Sequence, residues 1–224
     1  MSCPFDLVMF DLDGTLIETA PEIADAVNDT LRQFGMPEVM QQQVNDWIGH
    51  GTRELLIQAL ALRTGTDAKA MRASSTFPGI ADAFAQHYLK RCGTRSRLYP
   101  DVLETLQALR AKGVKTAVVT NKESHYTDVV LNAHALQDQF DCVISGDTLP
   151  TKKPNPAAIA HCLALFDVRP ERALFVGDSS IDVTTARNGG VPIWALPYGY
   201  NMGQPISASH PDRVIATCAE LVAA

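Results

Sequence analysis

The sequence predicts a doubly wound parallel α/β sheet that carries an all-helical insertion behind its first strand. Three observations predict it. Apolar, β-branched segments recur along the chain, and from the second onward they alternate with helical patterns. Between Leu16 and about Leu98, by contrast, nothing reads as a strand. At 224 residues the chain exceeds a single small domain, and the insertion accounts for the excess. An α/β core at 1–16 plus 98–224 with a helical cap at 17–97 follows.

Taken in order, "FDLVMFD" (5–11) opens the sheet. Helical stretches come next, around 21–35, 51–63 and 78–92, punctuated by Gly35, Pro37, Gly49, Gly51, Gly65 and "FPG" at 77–79. "DVLETLQALRAKG" then sets Val102, Leu103, Leu106 and Leu109 on one helix face. The second strand is "VKTAVVT" (114–120), followed by the helical pattern "KESHYTDVVL" and the third strand "FDCVIS" (140–145). "NPAAIAHCLALF" reads as a helix whose first position suits Pro154. "RALFVGD" (172–178) and "VPIWAL" (191–196) complete the sheet.

Composition narrows the function. With 46% hydrophobic and 20% charged residues the chain is a globular protein with neither the charge excess nor the apolar poverty of disorder. A net charge of -6 argues against a surface built to neutralise nucleic-acid phosphates or anionic lipid, but allows a small anionic ligand held by local cations. Cys3, Cys92, Cys142, Cys162 and Cys218 are odd in number, scattered and without a CxxC pair, so neither a disulfide framework nor a zinc site is expected. Asp6, Asp11 and Asp13 interrupt the first apolar stretch, no basic region precedes it, and no run nears the ~18 residues of a membrane helix. The expectation is a cytoplasmic protein with a small-molecule partner, no nucleic acid and no membrane; the oligomeric state stays open.

Ligands of open parallel sheets bind beyond the carboxyl ends of the strands. There the chain places Asp11 and Asp13, then Thr120 and Asn121, then Asp178 and Asp182, with Lys152 and Lys153 before the penultimate strand. Carboxylates gathered at one edge would repel and raise some pKa values unless a cation sat among them, and Mg²⁺ is the natural choice. Alone, Asp-x-Asp-Gly could be a local turn with Gly14 supplying the permissive backbone. The spaced ligands of an EF-hand loop are missing after Gly14. One of Lys152 and Lys153 reads as a solvated cation, the other as a phosphate ligand and a screen for Asp11. Thr120, Asn121 and Ser179 suit helix N-caps, a role compatible with phosphate binding for Thr120. Together these parts allow Asp11 to attack phosphorus and Asp13 to protonate the leaving oxygen, with Mg²⁺, Lys153 and Thr120 offsetting the phosphoryl charge.

The motifs "DLDGT" (11–15), "TN" (120–121), "KKPNP" (152–156) and "GDSSID" (177–182), in this order, resemble the haloacid dehalogenase-like (HAD) hydrolases, phosphatase branch, with a helical cap after the first strand. The resemblance implies a Rossmann-like core, Asp11 as nucleophile and Asp13 as acid and base. It also implies phosphate binding by Thr120 and Lys153, and Mg²⁺ held by the Asp11 side chain, the Asp13 carbonyl and Asp178, with Asp182 in or behind the metal shell. Gly14 and Asn121 join the substrate side. "WIGHGTRELL" (47–56) and "YGYNMGQPISASHPD" (198–212) look like bacterial phosphoglycolate phosphatases. His50 departs from the Asn expected between Gly49 and Gly51; with Gly51 and Arg53 it belongs to a cap loop able to approach substrate, where Arg53 could pair with a carboxylate or remain a solvated helix residue. Asp13 speaks against dehalogenase or phosphonatase chemistry, and Ile23 stands where a β-phosphoglucomutase-like enzyme would carry a cap His. A phospho-accepting regulatory domain of receiver type is the non-enzymatic alternative; it would need neither Asp13 nor the insertion.

Overall fold

The computed structural model describes residues 4–223, so Cys3 lies outside the described residues. Its sheet has the order β5-β4-β1-β6-β7-β8, with every pair parallel. The strands are β1 (Leu7–Phe10), β4 (Lys115–Val119), β5 (Cys142–Ile144), β6 (Ala173–Gly177), β7 (Ile193–Ala195) and β8 (Arg213–Val214). Central β1 is buried along its whole length, as a parallel strand covered on both faces must be. Its side chains alternate between layers: Val8 and Phe10 enter one core cluster, Leu7 and Met9 the other. The outer helices are α6 (Val102–Ala111), α7 (Ser124–Ala133), α8 (Ala157–Phe166), α9 (Ser180–Gly189) and α10 (Glu220–Ala223).

Between β1 and β4 the chain runs through a helical insertion of α1 (Ala20–Gln33), α2 (Gln41–Trp47), α3 (Thr52–Thr64), α4 (Ala68–Ala73) and α5 (Phe77–Arg91). A short antiparallel ribbon closes its base: β2 (Ile17–Glu18) pairs with β3 (Arg97–Leu98). Buried Glu22 adds a second tie there, its Oε2 accepting the Ser96 N–H at 3.0 Å. Helices α1 and α5 pack along each other, and Leu31 and Tyr88 are fully buried between them and the rest of the cluster.

Several boundaries differ from the sequence reading, for local reasons. The two-residue strands β2, β3 and β8 are too short to carry a period, and β8 is exposed. Helices α2 and α4 each bury one side chain, Val44 and Met71, so they show no apolar stripe. Helix α8 starts at Ala157, not at Pro154, because Asn155 Oδ1 accepts the Ala157 N–H at 3.0 Å and holds a turn ahead of it. Helix α7 takes Glu123 as its N-cap residue, which leaves Thr120 and Asn121 in the preceding loop. Among the described residues no helix is long and apolar enough to cross a membrane.

Leu31→Ala should cost about 2–5 kcal/mol of folding free energy, read from the urea midpoint at unchanged slope. A cost below about 1 kcal/mol would show that the α1 face is not part of a close-packed core.

Candidate active site

Register brings the motif segments together. Phe10 lies opposite Val118 on one side and Val176 on the other. The chain therefore leaves three neighbouring strands at Asp11, Thr120 and Asp178, beside the switch point where sequential strands change sides of β1.

Asp11, Asp178 and Asp182 are all buried and present carboxylate oxygens within 4.8 Å of one another. Lys153 Nζ stands 2.7 Å from Asp11 Oδ1 and 2.7 Å from Asp182 Oδ1. The ammonium is thus shared between the two carboxylates. The other Asp182 oxygen accepts the Ser179 hydroxyl at 2.6 Å and the Ser179 N–H at 3.0 Å, while Ser179 caps α9. Both Asp182 oxygens are thus engaged by the protein. Asp178 accepts Thr15 Oγ1 at 2.5 Å and the Tyr200 N–H at 2.6 Å. Gly14, at φ 88°, passes so close that an added Cβ would strike Asp178 Oδ2 and sit 2.8 Å from the Tyr200 ring.

Asp13 has a cation of its own. Its Oδ1 lies 2.9 Å from Lys122 Nζ and accepts Thr19 Oγ1 at 2.6 Å. The sequence places Lys122 only at the start of a helical pattern, yet it is 2% exposed and faces the site. Its position directly after Thr120 and Asn121, at a strand end, was the available signal. Thr15, Thr19 and Tyr200 were missed as well, since each acts through an aspartate rather than by a pattern of its own.

Electrostatics follow from burial. Desolvation pushes the Asp11 carboxyl up to about 7 against the pull of Lys153, with Asp182 and Asp13 adding to the rise. Asp178 is driven well above the usual carboxylate range by burial and then by Asp182 and Asp11. Burial alone would lower both lysines, but the carboxylates beside them hold Lys153 and Lys122 above their ordinary value. Fully ionised, Asp11, Asp13, Asp178 and Asp182 outnumber these two ammoniums and leave two negative charges, which one divalent cation balances. The donors are hard oxygens, the set such a cation prefers.

A cavity opens above Asp11 and Asp13. Asp11, Asp13, Thr120, Asn121 and Lys122 line its floor; Ile23, Ile48, Gly49, Gly51, Thr52 and Leu55 of the insertion form its roof. Three ties hold the roof loop to the sheet side. Asn121 Nδ2 donates to the Gly49 carbonyl at 2.9 Å, Lys152 Nζ to the His50 carbonyl at 2.7 Å, and Thr52 Oγ1 to the Glu123 carboxylate at 2.9 Å. Asn121, expected on the substrate side, therefore spends its amide on backbone, including the Lys153 carbonyl at 3.1 Å. Gly51, at φ 93°, admits the Asn121 carbonyl at 3.2 Å from where a Cβ would stand. Of the two lysines, Lys153 is the buried one and Lys152 is exposed.

Of the residues expected on the substrate side, Gly14, Lys153, His50 and Arg53 do not line the cavity, the first two lying in the carboxylate cluster beside it. His50 is exposed and offers its carbonyl to Lys152. Arg53 stacks its guanidinium 4.6 Å from the Phe77 ring centre and lines a neighbouring cleft with Glu123 and His125. The cause is helical phase: successive residues turn by roughly 100°, so with Thr52 inward Arg53 points aside.

Residues 8–196 match the profile of the family described as haloacid dehalogenase-like hydrolase. The chain is 37% identical to the phosphoglycolate phosphatase of Mannheimia succiniciproducens, over 99% of each chain. It is 39% identical to that of Vibrio vulnificus, over 96% of this chain and 94% of that one. A crystal structure of a predicted phosphoglycolate phosphatase from Haemophilus somnus superposes with a TM-score of 0.90 at 32% identity, over 98% of this chain and 97% of that one.

Because the folded pKa of Asp11 lies near 7, above its ordinary 3.8, the metal-free folded protein binds more protons than the unfolded chain between those values. Its stability through this group falls as pH rises across that window, and Asp178 acts in the same direction. Melting curves in chelator should therefore decline between about pH 4 and 7, and excess Mg²⁺ should flatten the decline by binding only the folded state. Identical slopes with and without Mg²⁺ would contradict the charge balance.

Proposed function

The chain belongs to the haloacid dehalogenase-like hydrolases and is a phosphatase, and from that premise we propose that it hydrolyses 2-phosphoglycolate with Mg²⁺ through a phosphorylated Asp11. The observation that carries this reading is the unequal setting of two near neighbours. Asp11 shares a buried lysine with Asp182 at the metal-fitting cluster, whereas Asp13 has a separate lysine and a hydroxyl. Such a split suits one carboxylate to attack and the other to move protons.

Mg²⁺ held by the Asp11 and Asp178 side chains and the Asp13 carbonyl would neutralise phosphoryl charge and keep Asp11 ionised at neutral pH. Asp182 supports that shell through Lys153 and Ser179. The Asp11 carboxylate attacks phosphorus in line, the bond to the ester oxygen breaks, and Asp13 gives its proton to that oxygen. Asp13 then takes a proton from water; the water oxygen bonds to phosphorus, the bond to Asp11 breaks, and phosphate leaves. Lys153 and Thr120 offset charge on the phosphoryl oxygens. Residues 17–97 serve as a cap, whose roof over the cavity excludes water from the aspartyl-phosphate.

The substrate reading rests on relatives named phosphoglycolate phosphatase along nearly their full length. Another small phosphate ester, such as a sugar phosphate, is the competing substrate. A mutase has less support, since Ile23 lines the cavity and offers no second proton carrier. A cytoplasmic setting accords with the free thiols of Cys92, Cys142, Cys162 and Cys218.

Asp11→Asn should abolish turnover with an unchanged circular dichroism spectrum; near-normal rates would end the nucleophile assignment. In a kinetic screen with Mg²⁺, kcat/KM for 2-phosphoglycolate should exceed that for hexose phosphates by about tenfold or more. The reverse order would replace the substrate while leaving the chemistry standing.

A further inference from the structure

Lys122 reaches out of the loop behind β4 into the interior, 2% exposed, and ends between two oxygens. Asp13 Oδ1 is 2.9 Å from its Nζ, and the hydroxyl of Tyr88 accepts from it at 2.6 Å. The ammonium also lies 5.1 Å from the centre of the Tyr88 ring. Tyr88 belongs to α5, in the helical insertion, and is itself fully buried. A buried ammonium is costly unless paired on all sides, so its location is over-determined by these partners. Thr19, just before α1, gives its hydroxyl to the same Asp13 Oδ1. No donor among the described residues takes Oδ2, although Asp13 lines the cavity.

We propose that Lys122, braced by Tyr88, is a positioning residue that fixes Asp13 by Oδ1 so that Oδ2 carries the proton to the leaving oxygen. The inference rests on Asp13 being the acid and base. Its consequence is that the acid is aligned only while α5 is seated: the insertion contributes to proton transfer through Tyr88 and Lys122, not merely by covering the cavity. Lys122 itself exchanges no proton with substrate. Asp13 Oδ2–H breaks as the leaving oxygen–H bond forms, and the Asp13 carboxylate regains a proton from the hydrolytic water.

The test exploits leaving groups. 4-Nitrophenolate departs without a proton, whereas the alkoxide of glycolate needs one, so misaligning the acid separates the two substrates and general disorder does not. In rapid mixing with Mg²⁺, Lys122→Met should lower kcat for 2-phosphoglycolate by about tenfold or more beyond whatever it takes from the release rate of the first equivalent of 4-nitrophenolate. Tyr88→Phe, which keeps the packed ring, should show the same split at about three- to tenfold and serves as the test if Lys122→Met does not fold. Equal losses on both substrates, or none on either, would overturn the proposal. Asp13→Asn is the reference: a split there without one in the Lys122 and Tyr88 variants removes Lys122 alone, and no split in Asp13→Asn removes the acid assignment and this proposal with it.

Discussion

Everything at the functional end of this protein depends on burying more carboxylates than cations in one place. Asp11, Asp178 and Asp182 are held within a few ångströms of one another, away from water, with Lys153 as their shared counter-charge. Left to itself such a cluster protonates, which is what the raised Asp11 and Asp178 express. The fold sustains it with fixed donors. Thr15 and the Tyr200 N–H hold Asp178, the start of α9 holds Asp182, and Asp11 is left with Lys153 as its partner.

The parallel sheet makes this possible. Burial of both faces of β1 leaves its end as the one place where polar groups can emerge, and the flanking strands end at the same level. Gly14 lets the chain turn away at once, with no Cβ to collide with Asp178. The insertion departs from that turn through the β2–β3 ribbon and comes back over the cavity, where Asn121, Lys152 and Glu123 grip its loop by backbone carbonyls and one hydroxyl. Floor and roof are thereby parts of one hydrogen-bonded arrangement, and Lys122 with Tyr88 extends it to Asp13.

Much of this was legible beforehand. Strand cores and the residues at their ends are marked by β-branched runs and by charges that a buried segment would not otherwise carry, so Asp11, Asp13, Thr120, Lys153, Asp178 and Asp182 could be named from the sequence and lie together. What could not be read depends on phase and on partners. Thr52 rather than Arg53 faces the cavity because of where α3 begins. Asn121 lines the cavity, while its Nδ2 donates to the Gly49 and Lys153 carbonyls, partners that no sequence spacing shows. Lys122 reads as an ordinary helix-start cation until its neighbours, Asp13 and Tyr88, more than 30 residues away, are brought to it by the fold.

On this reading the buried carboxylates form the seat of one divalent cation. Calorimetric titration of Mg²⁺ into chelator-stripped protein near pH 6.5, repeated in buffers of different ionisation enthalpy, tests it most directly. The account predicts saturation at one ion per chain with net proton release, because a carboxyl raised to about 7 must ionise to take the ion, and loss of that binding in Asp178→Asn. Absence of saturable binding, or binding without proton release and indifferent to Asp178, would contradict it.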